Sequence, residues 1–142
     1  MQEQQTYQPN VEIATRLFMS VLDESGSVLK LHFTLSTGAV VLFVNVLAAS
    51  HAGRLVLVPL VLSIYAFGIA ALLYLGLLWS LVSFRKILTD AVLKGITAQA
   101  VKQQLDKWDT ETEEKAKWAK RMFAAGMVLA GIFVIAIFVV RP

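Results

Sequence analysis

Residues 55–84 read LVLVPLVLSIYAFGIAALLYLGLLWSLVSF and contain no Asp, Glu, Lys or Arg. A helix rises about 1.5 Å per residue, so this run extends about 45 Å, and a bilayer's hydrocarbon core takes only about 20 residues to cross. Residues 31–49 and 122–140 are two further blocks free of charge. A soluble chain of 142 residues has little use for three such blocks. Apolar residues make up 57% of the sequence and charged ones 16%, against roughly 45–50% and 25% in ordinary soluble domains. The expected fold class is therefore all-α, an integral membrane protein with three transmembrane helices.

The polar remainder divides among the spans. Residues 1–10 are glutamine-rich and lack the basic stretch and apolar core of a cleavable signal peptide. Within residues 11–22, Val11, Ala14, Leu17, Phe18, Val21 and Leu22 share one helical face, with Glu12, Thr15 and Arg16 on the other. Too short and too charged to span, this segment reads as an amphipathic interfacial helix. The sequence DESGS at 23–27 is expected to end it, with Gly26 free to take positive φ and Ser27 able to cap the next helix. Residues 1–30 thus form an N-terminal tail and amphipathic helix, and 31–84 a helical hairpin (spans 31–49 and 55–84) closed by the five-residue turn SHAGR. Pro59 is expected in the first turn of the second helix, where its missing N–H does little harm.

Residues 85–121 form a charged helical connector between the second and third spans, with nine basic and six acidic side chains. The second helix is expected to run two turns past Arg85 and to stop at Gly95. Thr97 would cap a short helix carrying Val101, Leu105 and Trp108 on one face. Thr110 and Glu113 then supply a capping box for a further helix, with Glu111–Lys115 and Glu113–Lys117 as i,i+4 pairs. That helix enters the third span, leaving a short C-terminus in the unit 122–142. Eleven of the thirteen basic residues would lie on the side of the N-terminus and connector. An excess of Lys and Arg marks the cytoplasmic side, so the N-terminus is expected inside and the C-terminus outside, in a cell membrane of the bacterial inner-membrane kind. Trp79, Trp108 and Trp118 fall toward that side, with Trp79, Trp118, Lys120 and Arg121 as interface anchors.

The function classes narrow mostly by what is missing. Without cysteine there are no disulfides, thiolate nucleophiles or sulfur-ligated metals. Spans without charge argue against ion-coupled transport, which relies on intramembrane ionisable groups. His32 and His51 would stand about 28 Å apart along a helix and cannot share a metal within one chain. No phosphate-binding loop, hydrolase triad or HExxH sequence is present, so no catalytic, cofactor-binding or metal-binding residue is assigned and an enzyme is not expected. The net charge of +3 belongs to residues beside the spans, and nucleic acid is not an expected partner.

What remains is a set of small and polar residues at helical spacing. Thr34, Thr37, Gly38, Val41, Asn45, Ala48 and Ala52 share a face of the first span. Such a stripe suits close helix packing, and it also suits a pore lining with Asn45 as a polar ring. Gly68, Leu72, Gly76 and Ser80 form a ridge on the second span, and Gly126 with Ala130 a small-xxx-small pair on the third. Tyr65 and Tyr74 are expected to face protein, where their hydroxyls can find partners. Two roles follow as expectations: a homo-oligomer that makes a pore or channel or perturbs the lipid bilayer, or a non-conducting accessory or scaffold subunit whose connector holds a membrane or cytoplasmic protein partner. On either role the chain is expected to remain in the membrane pellet through an alkaline carbonate wash and to leave it only with detergent.

Overall fold

In the computed structural model, which describes residues 8–49, 54–93 and 98–140, the chain forms three long helices: α1 (Gln8–Ala49), α2 (Arg54–Leu93) and α3 (Ala98–Val140). At about 1.5 Å per residue each is 60–65 Å long, about twice a hydrocarbon core. All three are long and apolar enough to cross a membrane. The chain is therefore all-helical and membrane-embedded by composition and length.

Two of the expected breaks are absent. Residues 23–27 continue α1 without interruption. Gly26 is buried and helical, and a Cβ there would stand 3.1 Å from Leu81 Cδ2, so this glycine serves close approach to α2 and not a turn. Ser27 caps nothing; its hydroxyl donates to the Asp23 carbonyl one turn back at 3.0 Å. The second correction concerns Thr110, which starts no helix because α3 is already three turns old there. Its hydroxyl donates to the Asp106 carbonyl at 2.9 Å, and Thr112 to Trp108 at 2.8 Å. Charge pairs support the passage: Glu113 holds Lys117 at 2.7 Å, while Glu111 reaches back to Lys107 at 4.0 Å instead of forward to Lys115. Residues 11–22 are thus continuous with the first spanning helix, and residues 98–121 with the third. Gly95 and Thr97 lie outside the described residues.

α2 is the middle element. α1 and α3 each pack along it, antiparallel, and touch one another little. Toward the end where α1 stops and α2 starts, Phe43 stacks on Phe67 at 5.9 Å, and Phe67 meets Phe123 edge-on at 5.4 Å. Gly126 makes this approach possible: a Cβ there would stand 3.0 Å from three atoms of the buried Phe67 ring. Its carbonyl accepts the buried Ser63 hydroxyl at 2.8 Å. Midway, Ala70, Tyr74, Leu77 and Ala119 form a core joined by Leu29 and Phe33. Toward the opposite end, within the bundle, Leu22, Leu81, Phe84 and Leu88 form a second core with Met19 and Trp108, termed the inner core. Pro59 sits in the second turn of α2 and the helix runs on through it.

These contacts fix relative depth. Trp108 donates to Ser80 at 3.0 Å and stacks on Phe84, and Ala119 lies among Ala70, Tyr74 and Leu77. The carboxylates at 109–114 and the cations at 115–121 on α3 therefore stand level with the uncharged α2 residues from about 70 to 84. On α1, Asp23 pairs with Arg85. The uncharged run of α2 thus extends well past the point where its neighbours become charged, and that extension supplies the inner core.

The glycines give the packing a direct test. In detergent, Gly126→Ala should lower stability by about 1–3 kcal/mol, because the confined Phe67 ring has to move. Gly131→Ala, where a Cβ meets nothing within 4 Å, should raise it by about 0.5–1 kcal/mol through backbone entropy. Thermal melts of both variants check the opposite signs.

Candidate functional site

The polar stripe of α1 points away from α2. Thr34, Thr37, Gly38, Val41 and Asn45 are all exposed and line an open depression of about 710 Å³ with Phe33 and Leu42. A Cβ on Gly38 would touch nothing within 4 Å. Thr34 and Thr37 donate to the carbonyls of Lys30 and Phe33, each at 2.9 Å, so both hydroxyls are partly satisfied inside the helix. Because α1 is unbroken, the stripe continues beyond the span. Arg16, Ser20, Asp23, Ser27 and Lys30 are exposed on the same side at heptad spacing: 16, 23, 30, 37 in one row and 20, 27, 34, 41, 48 in the next. Sequence reasoning divided this seam by ending a helix at 23–27; the seven-residue spacing was the signal that could have joined it.

Asp23 belongs to that seam and also reaches Arg85, so one pair ties α1 to α2 at the inner core. Lys30 has no ion pair among the described residues. Both sides of the Asp23–Arg85 pair went unnoticed in sequence, where Asp23 looked like part of a turn and Arg85 like an interfacial marker.

The other candidates separate into inward and outward sets. Gly126 packs on Phe67 of α2, Ala130 is buried, and Ser80 accepts from Trp108. Gly68 and Gly76 contact nothing at the Cβ position, and their ridge is the exposed back of α2, with Leu72 at 70% and Trp79 at 76% exposure. Tyr65, expected against protein, is 68% exposed on that same back, whereas Tyr74 is buried. Trp118 is exposed with the Arg121 guanidinium 5.5 Å over its ring, an arrangement that suits an interfacial anchor, and Lys120 is exposed on another face of α3. Trp108 instead joins the inner core.

His32 is where the three helices meet. Its Nδ1–H donates to the Val28 carbonyl at 2.9 Å, and its ring lies 5.2 Å from Tyr74 and 5.9 Å from Phe123. Close by in the same interface, Ser36 Oγ and Tyr74 OH are buried without a hydrogen-bond partner among the described residues. His51 lies outside the described residues. Among the described residues no three His, Asp or Glu side chains stand together as a metal site.

A second surface is a groove of about 530 Å³ between α1 and α3 at the level of the inner core. Leu77 and Leu81 of α2 floor it. Val21, Val28 and Leu29 form one wall, Trp108 and Ala116 the other, and Glu24, Asp109, Glu113 and Lys120 stand at the rim. It exists because α1 and α3 both follow α2 without closing on each other. No known protein family, curated protein or solved structure matches the chain.

The Asp23–Arg85 pair is partly exposed, which limits its contribution. A double-mutant cycle with Asp23→Ala and Arg85→Ala, read by detergent unfolding, should give a coupling of about 0.5–1 kcal/mol.

Proposed function

We propose that this chain is a self-associating membrane protein whose copies surround a water-filled path lined by the polar seam of α1. The single observation that carries this reading is the seam itself: exposed polar side chains recur on one side of α1 from Arg16 to Asn45, including the uncharged span, and within that span Thr34, Thr37 and Asn45 have no contact with α2 among the described residues. An amide such as Asn45 left against lipid lacks hydrogen-bond partners, and a neighbouring copy or a water column supplies them. Heptad spacing favours helices that pack around a common axis with a left-handed twist.

The same reading sets the bilayer around the outer two-thirds of the molecule. Residues 31–49 of α1 and 122–140 of α3 each extend about 28 Å, enough for a hydrocarbon core. The depth register then leaves the inner third of the uncharged α2 run outside lipid, within a three-helix stalk. By the distribution of Lys and Arg, that stalk and the N-terminus face the cytoplasm. At the inner mouth, Lys30 is the seam's unpaired cation, since Asp23 is held by Arg85. A ring of such lysines favours anions.

Purified protein in liposomes should pass small ions, with anions preferred in the reversal potential. Asn45→Leu should cut the flux at least tenfold, and Lys30→Glu should turn the preference toward cations. A chain that runs as a monomer in detergent and leaks nothing would instead be a non-conducting accessory subunit.

A further inference from the structure

The groove between α1 and α3 and the back of α2 are both apolar at a depth where lipid cannot cover them. Val21 and Val28 on the groove wall are 57% and 49% exposed, beside the carboxylates of Glu24 and Asp109. On the opposite side of α2, Trp79 and Val82 are exposed at the level of Trp108 and the acidic stretch of α3. Bilayer hydrocarbon at this level would have to bury carboxylates, which is costly. A protein surface is the cover that remains.

We infer that the occupant of the groove is the back of α2 from a second copy of this chain. Three features favour that partner. Copies inserted in one membrane with one orientation carry both surfaces at the same depth, so the back of one α2 meets the next groove without vertical displacement. The charges complement: Glu24 and Asp109 at the rim have no ion pair among the described residues, and exposed Lys86 lies one turn beyond Val82 on the incoming helix. The geometry also leaves a side chain to fill the space, with the exposed Trp79 entering between Val28 and Trp108 as a large aromatic anchor.

Because groove and back lie on opposite sides of α2, the contact is heterologous, and repeated copies form a ring or an open array. The α1 seam stands roughly 120° around its helix from the side packed on α2, and by about as much from Val21 and Val28 on the groove side. Stacking front to back therefore leaves the seam on one side wall of the array, where a closed ring would place it toward the axis. This contact rests on the self-association proposed above and specifies how it is made.

The chain has no cysteine, so disulfide trapping needs no background removal. Trp79→Cys and Val28→Cys, carried on differently tagged chains and co-expressed in membranes, should cross-link to each other on mild oxidation. Neither should cross-link when expressed alone, and a chain with both should give a ladder of multimers. Both positions are exposed in the subunit, and detergent melts matching the parent verify folding. Trp79→Glu, which sets a carboxylate against the acidic rim, should raise the dissociation concentration of the complex at least tenfold. Cross-linking of Trp79→Cys to itself would mean back-to-back pairing and overturn the inference. A multimeric mass with no Val28–Trp79 product would overturn it while leaving self-association intact, and a monomeric mass would overturn both.

Discussion

Hydrocarbon offers no hydrogen bond to a backbone amide, and the rest of this molecule follows from that constraint. Every N–H and C=O inside the bilayer has to be satisfied by its own helix, which makes interruption within a span expensive. The second helix runs on through Pro59, and the helices stay continuous beyond the spans as well, through a glycine and two clusters of hydroxyl and carboxylate side chains. Serine and threonine hydroxyls that would cap a helix end in a soluble protein turn back onto carbonyls three or four residues earlier. With rods this long, the fold reduces to how three cylinders lie against one another.

Their packing is decided by small residues at a few places. Gly126 lets the Phe67 ring lie against the α3 backbone, Gly26 admits Leu81, and Ala70 and Ala119 meet at full burial in the middle. Between lipid-facing surfaces there is little hydrophobic gain from association, so such close van der Waals contact carries more of the stability than it would in water. The inner end differs. There the Leu22, Leu81, Phe84 and Leu88 core lies level with charged side chains, as in a soluble bundle. On the bilayer placement proposed above, one uncharged stretch of α2 serves two solvents, and its length reflects the sum.

Three apolar helices in their order along the chain were legible in sequence because absence of charge over 19 or more residues is a strong signal. Gly126 and Ala130 were legible as a packing pair from spacing alone. The polarity of 23–27 was misleading: propensity disfavours helix at DESGS, yet Gly26 against Leu81 and Asp23 against Arg85 are tertiary contacts that no local rule contains. Thr110 misled for the same reason, since a capping-box pattern is also a sound i,i+4 ladder once a helix is already running. Tyr65 shows the remaining limit: periodicity tells which residues share a face but not which face meets a neighbour.

The central position of α2 has a mechanical consequence. α1 and α3 communicate almost wholly through it, and α1 is joined to it by Asp23 at one level, His32 at another and Phe43 at a third. A rigid rod about 63 Å long that tilts by roughly 5° about its middle swings each tip by about 3 Å. His32 sits near that middle, at a junction holding two buried polar atoms without partners among the described residues. Any tilt of α1 about that junction therefore moves its two ends in opposite directions, as a beam does on a fulcrum.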